Sequence, residues 1–196
     1  PTPSTATIKS VIADGKNNVK ATVSGVVFAK SAEGYFIYDE VGMYVLGTTT
    51  AAIGDQVEVA GTVMKSGSRF FIKNATVTTK ATAQTLPTAT AMELSALAVL
   101  ATDSANYAKL VTVTGIVEKA ANGYKLVEGK SSVYLDASST NAVKEFEGKK
   151  VTCQVVTYDH KTDGWTVVVA SDITAAKVDI DEVKASIFAK SAPETE

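Results

Sequence analysis

Residues 19–46 alternate between apolar and polar positions and break that alternation at regular points. Val19, Ala21 and Val23 share one face of an extended segment, with Lys20, Thr22 and Ser24 on the other. A period of two is the mark of a half-buried strand. Gly25 interrupts the pattern and a continuous apolar run follows, Val26-Val27-Phe28. A glycine inside a strand marks a bulge or a sharp bend. A polar turn at 30–34 leads to a second strand over 35–38, aromatic and β-branched. A turn at 39–42 leads to a third strand over 43–46. After Gly54-Asp55 strict alternation returns and predicts Val57, Val59, Gly61 and Val63 on the inward face of a fourth strand. Lys65-Ser66-Gly67-Ser68 reads as a hairpin turn, and 69–77 as a fifth strand.

Five short strands, the first bent at a glycine, fit the five-stranded Greek-key barrel called the OB-fold. The pattern then recurs. Leu110-Val111-Thr112-Val113-Thr114-Gly115-Ile116-Val117 corresponds to 21–27, with Gly115 on Gly25. Gly123-Tyr124 falls on Gly34-Tyr35, Tyr134 on Tyr44, and Gly148 to Val151 on Gly54 to Val57. The copies are offset by about 90 residues, with insertions confined to turns, as expected of a duplicated structural unit. The chain is therefore expected to be all-β: two consecutive five-stranded OB-fold-like Greek-key barrels with a short linking helix and a C-terminal helix. The divisions are a linker at 1–6, a first barrel at 7–80, a connector with a short helix at 81–100, a second barrel at 101–176, and a helix and tail at 177–196. A unit of about 75 residues is near the lower limit for a self-sufficient core, so the two barrels are expected to pack on one another.

Helices are sparse. Residues 7–12 form a short element before the first barrel. Thr90 and Glu93 have capping-box spacing ahead of Leu94, Leu97 and Leu100, and a helix there would lie between the barrels or plug the base of the second. Residues 140–146 read as a helical turn between the third and fourth strands of barrel two. Residues 179–189 read as a helix, with acidic residues at its start and Val183, Ile187 and Phe188 on one side. The pentapeptide Phe-Ala-Lys-Ser-Ala at 28–32 recurs at 188–192, so a truncated third repeat is the alternative for that tail.

Charge narrows the chemistry. The formal net charge is −2, and of 19 basic residues Arg69 is the one arginine. Arginine is the side chain best suited to bidentate phosphate recognition, so strong nucleic-acid binding is disfavoured. A single cysteine, Cys153, excludes an intrachain disulfide. This suits a reducing compartment or a bacterial envelope protein without disulfides. No apolar run approaches the ~20 residues of a membrane span. The opening Pro1-Thr2-Pro3-Ser4-Thr5 resembles a linker left after removal of a secretory or lipoprotein leader, which places the expected location in the envelope or outside the cell.

Several motifs together resemble the tandem OB-like modules of secreted and lipid-anchored proteins of Gram-negative gut anaerobes, whose relatives sit beside extracellular nucleases. They are Val23-Ser24-Gly25-Val26-Val27, Gly34-Tyr35-Phe36-Ile37-Tyr38-Asp39, Met43-Tyr44-Val45, Gly54-Asp55 with the strand to Val63, and Leu94 followed by the segment from Tyr107 to Gly115. The resemblance covers most of residues 8–174 and speaks for fold rather than ligand. Barrel two departs from it, because Tyr124-Lys125-Leu126-Val127-Glu128 lacks the aromatic pair of barrel one.

OB-folds bind ligands on their second and third strands and flanking loops. In barrel one the expected solvent-side residues are Tyr35, Ile37, Tyr44, Arg69, Phe71 and Lys73. Rings interleaved with basic side chains suit a sugar face or single-stranded nucleic acid; packing against the other barrel is the competing use of the same rings. In barrel two the loop from Tyr158 to Trp165 holds the only His, His160, and the only Trp, Trp165. Asp159, His160 and Asp163 are metal-ligand types, but no second cluster joins them, and Asp163-Gly164 is an ordinary hairpin signal. Cys153 shares parity with Val151 and Val155 and should point inward. No phosphate-binding glycine loop, zinc-protease motif or repeated carboxylate pair is present, so no catalytic residues, metal or cofactor are assigned. The expectation is a non-enzymatic binding or scaffold module of the envelope that recognises a protein or glycan. The alternatives are single-stranded nucleic-acid binding, or service as an accessory domain of an extracellular nuclease or other hydrolase.

Overall fold

The computed structural model describes residues 5–171 and 173–176. The first barrel comprises β1 (Val19–Lys30), β2 (Gly34–Tyr38), β3 (Gly42–Leu46), β4 (Gln56–Ser66) and β5 (Arg69–Ala81). These close in the order β1-β2-β3-β5-β4, and β4 returns to pair with β1. The β3–β5 contact is parallel and the others antiparallel. The second sheet repeats this with β7 (Leu110–Ala120), β8 (Gly123–Glu128), β9 (Ser131–Leu135), β10 (Lys150–Lys161) and β11 (Gly164–Val169). Its order β7-β8-β9-β11-β10 is likewise closed by pairing of β10 with β7, and β9–β11 is again parallel. Two short strands flank this ring: β6 (Thr90–Ala91) on β7 and β12 (Thr174–Ala175) on β10. The architecture is the expected pair of consecutive five-stranded barrels. The expected C-terminal helix, and its alternative as a truncated repeat, lie outside the described residues.

Alternation fills each interior. Val57, Val59 and Val63 of β4 are fully buried, beside Val23, Val27, Tyr35, Ile37 and Ile72. Barrel two encloses Val111, Val113, Val117, Leu126, Val151, Val155, Trp165 and Val167. At Gly25 and Gly115 the first strand of each barrel changes partner and so serves both sides, as the pattern suggested, but the bulge does not fall at Gly25. The bulge against β2 falls at Val27/Ala29. At Gly25 the strand passes from β4 to β2, and a side chain there would meet the backbone of Tyr38 at 3.1 Å. At Gly115 it would meet Leu126, Leu94 and Val127 at 3.3 Å. Both glycines let the next strand cross closely over the first.

Each barrel is stoppered by a short helix placed before its first strand. Helix α1 (Ile8–Asp14) puts Ile8 and Val11 into the first core, and α2 (Leu94–Ala98) puts Leu94 and Leu97 into the second. A parallel backbone contact precedes each, Ala6 with Val23 and Thr90 with Val111. In α1 the Thr7 hydroxyl accepts from the Ser10 amide at 3.1 Å, and Asp39 Oδ2 accepts from the Ile8 amide at 3.0 Å, two caps on free helix donors. The capping box expected of Thr90 and Glu93 does not form: Thr90 is taken up by β6, and Glu93 caps α2 without a side-chain bond. The turn expected at 140–146 is present as α3 (Thr140–Val143) between two 3-10 turns, with Val143 fully buried. No helix among the described residues is long and apolar enough to cross a membrane.

Candidate binding face

A third apolar cluster joins the barrels. Barrel one contributes Phe28, Ala29, Phe36, Tyr38, Tyr44 and Phe71; barrel two contributes Ala108, Leu110, Val156, Tyr158, Val168 and Ala170. Tyr158 stands edge-on to Phe36 and Tyr44 at centroid separations of 5.9 and 5.0 Å, geometries that add about 0.5–1.5 kcal/mol per pair beyond burial. Arg69 reaches across the joint. Its guanidinium carbon lies 5.1 to 5.5 Å from the rings of Phe71, Tyr158 and Tyr44. Its Nη1 donates to the Tyr158 carbonyl at 3.3 Å and pairs with Asp159 at 3.6 Å.

Strand registers show which surfaces are being used. On barrel one, Phe36, Tyr44 and Phe71 form one row across β2, β3 and β5. The same row on barrel two is Lys125, Tyr134 and Thr166 across β8, β9 and β11. Where Phe28 stacks near Phe36 at 6.0 Å, Glu118 pairs with Lys125 at 3.3 Å. The partner surface is the opposite side of barrel two, where Leu110, Val156 and Val168 form a row across β7, β10 and β11. Its counterpart on barrel one is Lys20, Thr62 and Lys73. Barrel one thus docks its β2–β3–β5 face onto the back of barrel two. The β8–β9–β11 face of barrel two stays open: Tyr134 is 36% exposed, whereas Tyr44 is 2% exposed. A cleft of about 620 Å³ lies on that face, bounded by the β7–β8 and β10–β11 turns. Lys119, Lys125, Tyr134, Asp136, Lys161 and Asp163 line it, and it is open to solvent.

The structure relocates most of the residues expected to face a ligand. Tyr35 and Ile37 are 1% and 0% exposed and point into barrel one, because it is Phe36 that carries the outward parity of β2. Tyr44, Arg69 and Phe71 are brought together as expected of neighbours on one face, but under barrel two rather than solvent. Lys73 lies apart from them, half-buried on the back of barrel one. Trp165 is fully buried in barrel two, its Nε1 donating to the Leu100 carbonyl at 3.3 Å. His160 stands edge-on to Trp165 at 4.8 Å. With Asp159 held by Arg69 and His160 packed on Trp165, that loop does not assemble a ligand set. Among the described residues no group of three His, Cys, Asp or Glu is placed to hold a metal ion.

Ionisation follows burial. The Tyr35 hydroxyl has no hydrogen-bond partner, and burial pushes its pKa up to about 12. Burial and the hydroxyl of Tyr44 hold Tyr158 above the ordinary phenol range. Cys153 points inward as its parity predicts, and burial raises its thiol to about 11, which removes thiolate reactivity near neutral pH. Asp39 is also raised, chiefly by burial, and its Oδ1 has no partner.

No protein-family model matches the chain, and no curated protein shows significant similarity to it. The internal duplication is therefore the available comparison. It contains a signal already legible in the sequence, the aromatic pair that barrel two lacks. Aligning Gly34-Tyr35 with Gly123-Tyr124 sets Phe36 against Lys125, and this exchange separates the docked face from the open one.

Proposed function

We propose that this chain is a non-enzymatic binding module of the cell envelope whose ligand surface is the open face of barrel two. The observation that carries the reading is the exchange of Phe28, Phe36 and Phe71 for Glu118, Lys125 and Thr166 at matching positions. One copy of the face is apolar and consumed by packing. The other has kept an exposed ring, Tyr134, and surrounded it with polar groups over a cleft. In OB-folds this surface, with the loops joining strands one to two and four to five, is where ligands bind. Barrel one then serves as the support that fixes barrel two. The envelope location, and an accessory role beside a secreted hydrolase, are proposed on the resemblance of the motifs. Single-stranded nucleic acid is the weaker reading: Tyr44 and Phe71 are occupied by barrel two, and Arg69 is engaged in the joint.

The test compares the native chain with Tyr134→Ala and Lys125→Glu on glycan arrays and in pull-downs. Retention by the native chain that both variants lose supports the reading. Retention indifferent to both variants, or silent screens alongside detectable turnover, overturns it.

A further inference from the structure

We infer that the Asn122-Gly123 step in the β7–β8 turn is a site of spontaneous deamidation, which turns the electrically balanced cleft of barrel two acidic. The inference goes beyond the proposed function and does not depend on any ligand.

Asn122 is the one asparagine in the chain followed by glycine. Deamidation begins when the backbone nitrogen of the next residue attacks the side-chain carbonyl carbon, and a residue without a β-carbon leaves that nitrogen least shielded. At Gly123 an added β-carbon would find Thr140 Oγ1, at 4.0 Å, as its nearest neighbour, so nothing crowds the five-membered ring that must form. Other asparagines are tied down: Asn17 Oδ1 accepts from the Lys65 amide at 2.9 Å, and Asn106 Nδ2 donates to the Ala101 carbonyl at 2.7 Å. Asn122 is exposed, and its side-chain amide has no such partner among the described residues. Gly123 pairs with Ala120 at the end rung of the β7–β8 hairpin. Attack waits on the opening of that rung, and the tip of a hairpin opens far more often than the sheet behind it.

The chemistry needs only solvent. A bond forms from the Gly123 nitrogen to Asn122 Cγ, the bond from Cγ to Nδ2 breaks, and Nδ2 leaves as ammonia with the proton lost by the backbone nitrogen. Water then opens the succinimide at either carbonyl. Opening at Cγ leaves aspartate. Opening at the backbone carbonyl leaves isoaspartate, with an extra carbon in the main chain. No oxidation or reduction is involved.

Either product places a new carboxylate on the cleft, which Asn122 lines. In the amide form the charges there balance, Lys119, Lys125 and Lys161 against Asp136, Asp163 and the Glu118 that pairs with Lys125. Deamidation leaves negative charge in excess. The duplication shows that the fold accepts it. Aligning Gly34-Tyr35 with Gly123-Tyr124 sets the exposed Glu33 opposite Asn122, so barrel one carries an acid where barrel two carries an amide.

The experiment incubates the folded chain, and the chain unfolded in guanidinium chloride, in mildly alkaline buffer. Peptide mass mapping locates each exchange of amide for acid, which separates it from isomerisation at Asp14-Gly15 and Asp163-Gly164. Ion exchange follows the new charge. The expected result is conversion at Asn122 ahead of every other asparagine, at a rate in the folded chain within about tenfold of that in the unfolded one. Asn122→Gln, which would need a six-membered ring, should remove the early acidic species. Asn122→Asp should elute with that species and fold, its amide shifts differing only in the β7–β8 turn and the cleft. Folded conversion slower by more than about tenfold overturns the inference, because the closed hairpin then protects the site. Earlier conversion at another asparagine, or an early acidic species that persists in Asn122→Gln, overturns it as well. Shifts in Asn122→Asp that spread to Val113 or Val155 overturn the claim that the fold accepts the charge.

Discussion

Gly42 of β3 meets the carbonyl of Ala108 across the joint between the barrels, and the fit leaves no room for a β-carbon. Ala108 is not free to withdraw. It holds a left-handed backbone at φ 55°, and its amide donates to the Thr157 carbonyl at 2.8 Å. Thr157, fully buried, also accepts from the Lys109 amide at 2.9 Å and donates to the Asn106 carbonyl. Gly42→Ala is therefore expected to loosen the joint while leaving both barrel interiors intact. The cost should be about 1–3 kcal/mol, the usual penalty for overpacking a fitted contact. Thermal unfolding with amide shifts checks this: changes confined to Phe36, Tyr44, Tyr158 and neighbours are expected, and changes spread through Val57 or Val113 would contradict it.

Arg69 holds the joint through shape as much as charge. Three rings surround a planar guanidinium, which an ammonium cannot replace on the same terms. Arg69→Lys is expected to lose about 1–2 kcal/mol despite conserving charge. Denaturant midpoints report this, and a lysine variant as stable as the native chain would show that the Asp159 pair alone matters.

Tyr35 carries a hydroxyl into barrel one with nothing to bond to. An unmet buried donor costs about 1–3 kcal/mol. Tyr35→Phe should accordingly be neutral or stabilising in denaturant melts, and a clear loss of stability would mean that the hydroxyl is satisfied in solution.

Asp39 gives a pH dependence with a definite sign. Its folded pKa lies above the ordinary 3.8, mainly through burial. Its contribution is fully present below the unfolded value and is lost as pH rises through the folded one. The stability of the native chain relative to Asp39→Asn should therefore fall as pH climbs from below 3.8 through that raised value. Paired melts across the acid range read this directly. A difference that grows in favour of the native chain would mean that the bond to the Ile8 amide outweighs burial.

Cys153 should be silent toward thiol reagents in the folded chain near neutral pH, given its burial and a pKa of about 11. Labelling is expected only when urea opens barrel two, so its rate can be used to follow unfolding of that barrel.

Much of the fold was legible because it is written in a period of two. Val57, Val59 and Val63, the inward Cys153 and the matched glycines all follow from parity and repetition. Parity failed at β2, where every residue from Gly34 to Ile37 is buried, so that inward and outward sides cannot be told apart by polarity. The face that packs on barrel two is apolar for the same reason as the core. The capping residues of α1 were partly hidden too, since Asp39 lies 31 residues from the helix it caps. The candidate cleft escaped notice because its side chains come from five strands and the turns between them and form no motif along the chain.

Docking front to back has a consequence for growth. A contact between unlike surfaces does not close on itself, and a repeated unit that kept both surfaces could stack without end into a fibre. Here the front of the second unit and the back of the first have each lost their grease to lysine, at Lys125 and at Lys20 and Lys73. Neither surface still matches the apolar one it would have to meet, so a further copy of this unit could not join through the same contact.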